Sequence, residues 1–296
     1  MKKSVSLLLA GLMLCGALTG CGGNNSTAEN TDSQTAESTT GTSGAIHVVS
    51  REDGSGTRGA FVELTGVEDD NGDNTTVEAE IANRTDAVLT TVAGNEAAIG
   101  YVSLGSLNDT VKAVTVDGVE ATVDNVKSGD YTLSRPFNIA TKGEPTGVAK
   151  DFINFIMSAD GQAIVGEDYI TVNDNAEAFT SDGSSGHITV GGSSSVSPVM
   201  EQLIEAYKAV NPNAQIDLQT SDSTSGMTGA MDGTFAIGMA SRELKDEEAA
   251  ELIGTAIALD GIAVIVNTAN TVDNLTMDQI RSIYVGETTD WADVAA

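Results

Sequence analysis

The stretch IHVVSREDGSGTRG, residues 46–59, decides the fold class. It begins with a short apolar run typical of a buried strand, and its glycines and hydroxyl side chains precede a helix that we expect to begin near Thr57. A helix N-terminus offers unpaired N–H groups and a partial positive charge, so an anion fits at such a turn. Gly56 lets backbone approach a ligand closely, Ser55 adds a hydroxyl donor, and Arg51 supplies a planar fork suited to a tetrahedral oxyanion.

Taken alone, this turn is equally typical of a plain capped connection between strand and helix, and it lacks the lysine of a Walker A loop. The same arrangement recurs in ITVGGSSSVSPVM (188–200), DLQTSDSTSGMTGAM (217–231) and FAIGMASREL (235–244). In open α/β sheets, ligands bind at the carboxyl ends of the strands, where these corners lie. Four hydroxyl-bearing corners therefore predict one shared site for a small anion.

Apolar periodicity along the chain predicts alternating strands and helices. The predicted strands are Ile46–Val49, Ala98–Val102, Val111–Val116, Phe137–Ala140, Ile188–Val190, Gln215–Gln219, Phe235–Met239 and Gly261–Asn267. The predicted helices are Thr57–Leu64, Thr85–Ala93, Val148–Met157, Pro198–Val210, Asp246–Leu252 and Met277–Tyr284. Such alternation indicates an α/β protein.

The charge balance argues against a nucleic-acid partner. Acidic residues outnumber basic ones 43 to 14, and the formal net charge is -29. The long-range field of such a chain repels DNA, RNA and anionic lipid. That field is screened beyond about 8 Å at physiological salt, and each hydrogen bond to a charged ligand contributes about 1.5–3 kcal/mol. Local donors can therefore bind an anion in spite of the net charge.

The N-terminal segment has the pattern of a secretory signal. A lysine pair precedes an apolar stretch at 4–18 that is too short to span a bilayer comfortably. The following LTGC, at 18–21, resembles the lipobox of bacterial lipoproteins. That resemblance implies a signal peptide at 1–20 and a lipidated, palmitate-bearing Cys21 on the outer face of the cytoplasmic membrane. The alternative is an uncleaved anchor helix. Since Cys15 falls within the signal peptide, no disulfide is expected.

Two polar stretches punctuate the rest of the chain. Residues 22–44 contain no apolar side chain larger than alanine, so with Cys21 they form a predicted lipidated, flexible linker over 21–44. A second polar stretch, NDNAEAFTSDGSSG at 173–186, interrupts the folded region and is interpreted as a connector.

Six stretches together carry a family resemblance: REDGSGTRG, GGSSSVSPV, AIGMASREL, DGIAVIVN, AAIGYVSLG and YTLSRPF. They resemble the phosphate-binding lipoprotein of the Pst-type ABC transporter, the PstS family, from residue 46 to the end of the chain. The resemblance implies a two-lobed periplasmic-binding-protein fold of type II, with inorganic phosphate bound in the cleft between the lobes. It also implies delivery to ABC permease subunits with a cytoplasmic ATPase, and a monomer without catalysis, cofactor or metal.

Site residues follow from the same resemblance. The residues that the motifs assign to phosphate are Arg51, Asp53, Ser55, Gly56, Thr57, Ser194, Ser195, Ser223 and Ser241. Asp53 would hold Arg51 in place. Ser241 stands where some family members carry an aspartate that accepts the proton of phosphate, so we expect Asp53 to take that role and to discriminate against sulfate.

The order of the motifs departs from the usual family pattern. Members usually run from the GGSSS strand through DWADV and then into REDGSGTR, whereas here the REDGSGTR half comes first. The chain is therefore interpreted as circularly permuted. The predicted lobes are lobe A, residues 45–134 with 262–296, and lobe B, residues 135–261. Ala45 and Ala296 should then lie close together, and Arg51 should face Ser194 across the cleft.

Three alternatives stay open at this stage. A serine hydrolase would need His47 or His187 as its base, and no GxSxG elbow is present. A calcium loop is suggested by acidic and amide residues at EF-hand spacing, namely Asp69, Asn71, Asp73 and Glu80, but its central glycine is missing. The third is a binding protein or sensor for another tetrahedral oxyanion, such as sulfate or molybdate.

Overall fold

A computed structural model describes residues 42–294. The predicted signal peptide, the lipidation at Cys21 and most of the predicted linker lie outside these residues, as does Ala296. Within 42–294, no helix combines the length and the apolar character that crossing a bilayer requires.

The described chain is an alternation of strands and helices, as the sequence predicts. The strands are β1 His47–Arg51, β2 Glu68–Asp69, β3 Gly72–Asp73, β4 Glu80–Ala82, β5 Ala98–Ser103, β6 Val111–Ala113, β7 Thr115–Val116, β8 Ser134–Thr141, β9 Gly186–Ser193, β10 Ala214–Ser221, β11 Ile237–Ala240, β12 Ile253–Asn267 and β13 Asn274–Leu275. The helices are α1 Gly56–Thr65, α2 Thr85–Gly94, α3 Val123–Ser128, α4 Gly147–Ile156, α5 Ala159–Asp168, α6 Ser197–Val210, α7 Ser223–Asp232, α8 Asp246–Ala249, α9 Met277–Tyr284 and α10 Trp291–Val294. A 3₁₀ turn follows β5 at Leu104–Ser106.

One mixed sheet runs through the body in the order β10-β9-β11-β8-β12-β5-β1-β4, and β6 pairs with the edge of β12 opposite to β5. The 15-residue strand β12 joins its two halves. Residues 253–261 of β12 pair antiparallel with β8, whereas residues 262–266 pair antiparallel with β5. Because β12 changes partner at this point, one strand belongs to both halves of the molecule.

Two sets of apolar clusters form separate cores, which give the body its two lobes. The first set surrounds Trp291, Tyr284 and Phe61, and the ring of Phe61 stacks on that of Tyr101 at a centroid distance of 3.9 Å. The second set surrounds Phe152 and its neighbours on α4, α5 and α6. Burial of apolar area at about 25 cal/mol per Å² is the main stabilising contribution in each lobe.

The predicted connector at 173–186 is packed against the second core. The buried carboxylate of Asp151 accepts hydrogen bonds from the Ser181 hydroxyl at 2.7 Å and from the Asp182 N–H at 3.0 Å. The hydroxyl of Tyr207 donates to the same carboxylate at 2.7 Å. Burial alone would raise the pKa of Asp151, but these hydrogen bonds outweigh it and hold the pKa below its usual value. A buried carboxylate therefore anchors the connector.

The two ends of the described chain lie side by side. The N–H of Ile46 donates to the carbonyl of Thr289 at 2.8 Å, and the N–H of Trp291 donates to the carbonyl of Gly44 at 3.0 Å. These bonds flank an antiparallel bridge between Ala45 and Asp290.

Candidate functional site

Four strand ends and the helices that follow them form the walls of the site. Ser55 caps α1 by accepting from the N–H of Arg58 at 3.3 Å, and Asp222 caps α7 by accepting from the N–H of Ser225 at 2.8 Å. Side-chain caps of this kind leave the remaining N–H groups of the first turn free to face a ligand. Since β10, β9 and β11 run parallel, their carboxyl ends meet at one edge of the sheet. The end of β1, which belongs to the other lobe, faces that edge.

Hydroxyl groups from all four corners meet in one buried group, which we call the hydroxyl cluster. Its members are Thr57, Ser194, Ser195, Ser223 and Ser241. The Oγ1 of Thr57 lies 2.9 Å from the Oγ of Ser195 and 3.2 Å from the Oγ of Ser241. The Oγ of Ser223 accepts from the N–H of Gly56 at 3.2 Å and from the N–H of Ser241 at 3.1 Å. The predicted hydroxyl residues are therefore within hydrogen-bond distance across the cleft.

Two glycines allow this close approach. A Cβ at Gly56 would lie 2.4 Å from the Oγ of Ser223, and a Cβ at Gly54 would lie 2.3 Å from the Oδ1 of Asp222. Both distances are shorter than any normal contact, so any larger residue would hold the lobes apart. The N–H of Thr224 donates to the carbonyl of Gly54 at 3.1 Å, which adds a direct backbone bond between the two walls.

Arg51 is buried at the centre of the site, with 2% of its side chain exposed. One guanidinium nitrogen donates to the Oγ of Ser194 at 3.1 Å, so Arg51 faces Ser194 as predicted. The guanidinium also forms two bonds of 2.8 Å to the carboxylate of Glu52. The main-chain N–H of Arg51 donates to the hydroxyl of Tyr101 at 3.2 Å. Burial raises the pKa of Tyr101 to about 12, so that hydroxyl stays neutral.

The expectation that Asp53 holds Arg51 in place is wrong in this structure. Its side chain is 98% exposed and pairs with Arg58 at 2.8 Å, so it neither holds Arg51 nor faces the hydroxyl cluster. Arg58, at the first turn of α1, also donates to the carbonyl of Arg51 at 2.8 Å, and this places its positive charge on the outer side of the turn. The carboxylate of Asp53 points outward to pair with Arg58. Glu52 is the carboxylate that holds Arg51.

Thr85, at the start of α2, belongs to the site although the sequence reasoning did not select it. Its Oγ1 lies 3.2 Å from the Oγ of Ser194 and 3.1 Å from the Oγ of Ser195. Its N–H also donates to the Oγ of Ser194 at 3.3 Å. A signal was available, because Thr85 is the first residue of a predicted helix, as Thr57 is.

Arg135 and Asp260 are a second pair of charged residues that sequence reasoning missed. Both are buried, they are register partners on β8 and β12, and a guanidinium nitrogen of Arg135 donates to the Oδ2 of Asp260. Another guanidinium nitrogen donates to the Oγ1 of Thr57 at 3.1 Å. Burial raises the pKa of Asp260, and the adjacent Arg135 opposes that shift. Each member lies in a family motif, Arg135 in YTLSRPF and Asp260 in DGIAVIVN, but with 125 residues between them nothing local indicates that they pair.

The two histidines and the acidic loop take other roles. His47 pairs with Glu80 and His187 pairs with Asp217, each at 2.8 Å and on an exposed part of the surface. Neither ring contacts the hydroxyl cluster as a base would. In the acidic loop, Asp73 is bound by Arg58 at 2.7 Å. Across residues 42–294, no group of three or more His, Cys, Asp or Glu side chains is placed to hold a metal ion.

The geometry supplies hydrogen-bond donors to a ligand. Because the Oγ of Ser223 already accepts two backbone N–H groups, its own proton is left to donate. Arg51 can only donate, and Thr57 accepts from Arg135, which can also only donate. A small oxyanion with oxygens in several directions matches such a set of donors.

Comparison with known proteins places this chain in a family. A model of the PBP superfamily domain matches residues 25–160 and 177–296. "Phosphate-binding protein PstS 2" of Streptococcus agalactiae serotype V is 47% identical over 301 residues, covering 99% of this chain and 98% of that protein. "Phosphate-binding protein PstS" of Bacillus subtilis is 36% identical over 134 residues, covering 44% of this chain and 42% of that protein. A crystal structure of a phosphate-binding protein of a phosphate ABC transporter from Streptococcus pneumoniae TIGR4 is 46% identical, covers 85% of this chain and 100% of that chain, and superposes with a TM-score of 0.69. The chain therefore belongs to the PBP superfamily and, within it, to the PstS family of phosphate-binding proteins.

Proposed function

We propose that this protein captures inorganic phosphate in the cleft between its lobes and delivers it to an ABC importer. The observation that carries the proposal is the contact of Arg51 and Thr57 from one lobe with Ser194 and Ser195 from the other. All four residues are buried. The names of the relatives, which are phosphate-binding proteins, support the same ligand.

The donors suit phosphate because closure of the lobes places them around one point. Hydrogen bonds to a charged ligand contribute about 1.5–3 kcal/mol each, and they are stronger where water is excluded. Arg51 supplies a permanent positive charge, and its partner Glu52 keeps the guanidinium in one orientation. A handful of such bonds covers the roughly 8 kcal/mol of micromolar binding after ordering costs.

Calorimetric titration of the protein with phosphate, sulfate and molybdate tests the proposal. We expect phosphate to bind most tightly, and Arg51→Ala to weaken phosphate binding by about 2–5 kcal/mol because a buried anion loses its counter-charge. Arg281→Ala is the matched control, since Arg281 is 44% exposed and pairs with Glu287 away from the cluster. Unchanged phosphate affinity in the Arg51 variant would contradict the assignment of the site. Tighter binding of sulfate or molybdate than of phosphate would favour the alternative oxyanion.

Membrane attachment is a further part of the proposal. Cys21 would carry a lipid and hold a monomer at the outer face of the cytoplasmic membrane, where permease subunits with a cytoplasmic ATPase receive phosphate. Its support is the LTGC motif and the description of a relative as part of an ABC transporter. Replacement of Cys21 by Ser should abolish palmitate labelling and move the protein from the membrane to the soluble fraction.

We also propose that the order of the two halves is permuted relative to part of the family. The full-length match to the streptococcal relative indicates the same order in that protein, whereas the match to the Bacillus protein covers less than half of either chain. A permuted order has that effect, because one collinear alignment can include only one half. The bridge between Ala45 and Asp290 suits a chain whose ends were once joined. Lobe boundaries near 135 and 261 agree with the change of partner along β12.

A further inference from the structure

Arg135 lies where the two lobes meet. It is near the start of β8, and its register partner Asp260 is on β12, one residue before the position at which the pairing with β8 ends. The side chains are 3% and 0% exposed. Besides the carboxylate of Asp260, Arg135 donates to the carbonyl of Gly261 at 3.0 Å. The guanidinium is therefore held in one position by the strands that pass between the lobes.

Burial of this ion pair calls for an explanation other than stability. In many proteins, the free energy lost when two charges are removed from water equals or exceeds the free energy gained from their attraction. A buried ion pair is therefore weak evidence for a stabilising role. The Nε of Arg135 and the Oδ1 of Asp260 are both buried without a hydrogen-bond partner in the described part of the chain. The ion pair thus leaves one donor and one acceptor without a hydrogen bond, which lowers its contribution to stability.

The contact with Thr57 supplies a function for the pair. A guanidinium has donors only, so the Oγ1 of Thr57 must accept from Arg135 across their distance of 3.1 Å. The single hydroxyl proton of Thr57 then cannot point toward Arg135. It is left to be donated within the cluster, where the Oγ atoms of Ser195 and Ser241 lie 2.9 Å and 3.2 Å away, or to a bound oxyanion.

We propose that Arg135, held by Asp260, is a positioning residue that commits the Thr57 hydroxyl to donate a hydrogen bond to the bound oxyanion. The inference rests on the proposed function, since it assigns a role within the same phosphate site. Arg135 acts through Thr57 and makes no contact with the ligand itself. Because its own charge is compensated by Asp260, its contribution comes from the orientation of a hydroxyl.

A double-mutant cycle with inorganic phosphate as the probe tests this role. The variants are Arg135→Met, which keeps the bulk and removes the donors, Thr57→Val, which removes the hydroxyl, and the two combined. We expect each single change to weaken phosphate binding by about tenfold or more, the effect of one hydrogen bond to a charged ligand. In the Thr57→Val background, Arg135→Met should cost less than about twofold, because the hydroxyl that it orients is gone.

Conservative and control variants separate positioning from folding. Arg135→Lys keeps the charge but has one terminal nitrogen, which cannot bind Asp260, Gly261 and Thr57 as the guanidinium does, so it should lose affinity as Arg135→Met does. Thr57→Ser keeps the hydroxyl that Arg135 orients, so its affinity should stay within about threefold of the wild type, and Arg281→Met should leave affinity unchanged. If Arg135→Met alone fails to fold, the charge-balanced Arg135→Met/Asp260→Asn variant replaces it in the cycle, with the same expected coupling to Thr57→Val.

The outcomes distinguish the inference from the proposed function. Additive losses in the cycle, or no loss in Arg135→Met, would overturn the positioning role while phosphate binding by the wild type stands. Absence of phosphate binding by the wild-type protein would overturn the proposed function itself. Loss in Thr57→Ser as large as in Thr57→Val would also contradict the inference, because the retained hydroxyl should still be oriented by Arg135.

Discussion

Replacement of Gly56 by alanine should weaken phosphate binding without destabilising the protein. Gly56 is the first residue of α1, and its missing side chain lets the two lobes touch. An added Cβ would lie 2.4 Å from the Oγ of Ser223, 2.9 Å from the Oγ of Ser241 and 3.0 Å from the Cγ of Arg242. All three atoms belong to the opposite wall of the cleft, so the alanine methyl group would hold the lobes apart.

The size of the effect follows from these distances. Ordinary van der Waals contact begins at 3.4 Å, so the tightest contact has to lengthen by about 1 Å. The same movement would stretch the 2.9 Å contact between Thr57 and Ser195 beyond hydrogen-bond range. The loss of two hydrogen bonds to a charged ligand costs about 3–6 kcal/mol, which is a hundredfold or more in affinity. Stability should stay equal or rise by up to about 1 kcal/mol, because alanine has the higher helix propensity and restricts the unfolded chain.

Calorimetric titration with phosphate and thermal unfolding without phosphate measure the two effects separately. Gly59→Ala is the matched control, since Gly59 lies in the same helix and a Cβ there would meet nothing closer than 4.0 Å. It should match Gly56→Ala in stability and the wild type in affinity. A Gly56→Ala protein that binds phosphate as tightly as the wild type would refute the steric reasoning, as would an equal loss of affinity in both variants.

Two further predictions concern carboxylates. Asp53→Asn should leave the preference for phosphate over sulfate unchanged in competitive titration, because Asp53 is exposed and pairs with Arg58. A reduced preference would mean that Asp53 does take part in selecting the ligand. Asp151→Asn should lower the free energy of unfolding by about 1–3 kcal/mol at pH 7 and leave phosphate affinity unchanged. The folded-state pKa of Asp151 lies below its usual value, so this stabilisation is present above about pH 4 and is lost as the pH falls through the folded pKa. The free energies of unfolding of wild type and variant, measured by chemical denaturation, should therefore converge in acid. A difference that persists there would contradict the assignment.

Local patterns predicted most elements of the fold closely. The helix expected at Thr57–Leu64 is α1, Gly56–Thr65, and the strand expected at Ala98–Val102 is β5, Ala98–Ser103. The long strand β12 was predicted only from Gly261 onward, although it begins at Ile253. Its first half, IGTAIALD, contains small residues and lacks the continuous apolar run that marks its second half. Pairing with β8 makes it a strand, and that pairing is tertiary.

The sequence by itself indicated most of the hydroxyl groups that meet at the site, with Thr85 as the exception. Their sequence signal is local, because a strand, a short polar turn and a helix cap together occupy about ten residues. Since the strands are parallel, turns of this kind meet at one edge of the sheet. The tertiary structure alone decided which carboxylate serves which arginine. Glu52 and Asp53 are neighbours in the chain, and only the position of Arg58 outside the turn separates their roles. Likewise, Arg135 is 78 residues from Thr57 in the chain, and the packing of β8 and β12 brings it to Thr57, so local sequence does not indicate this contact.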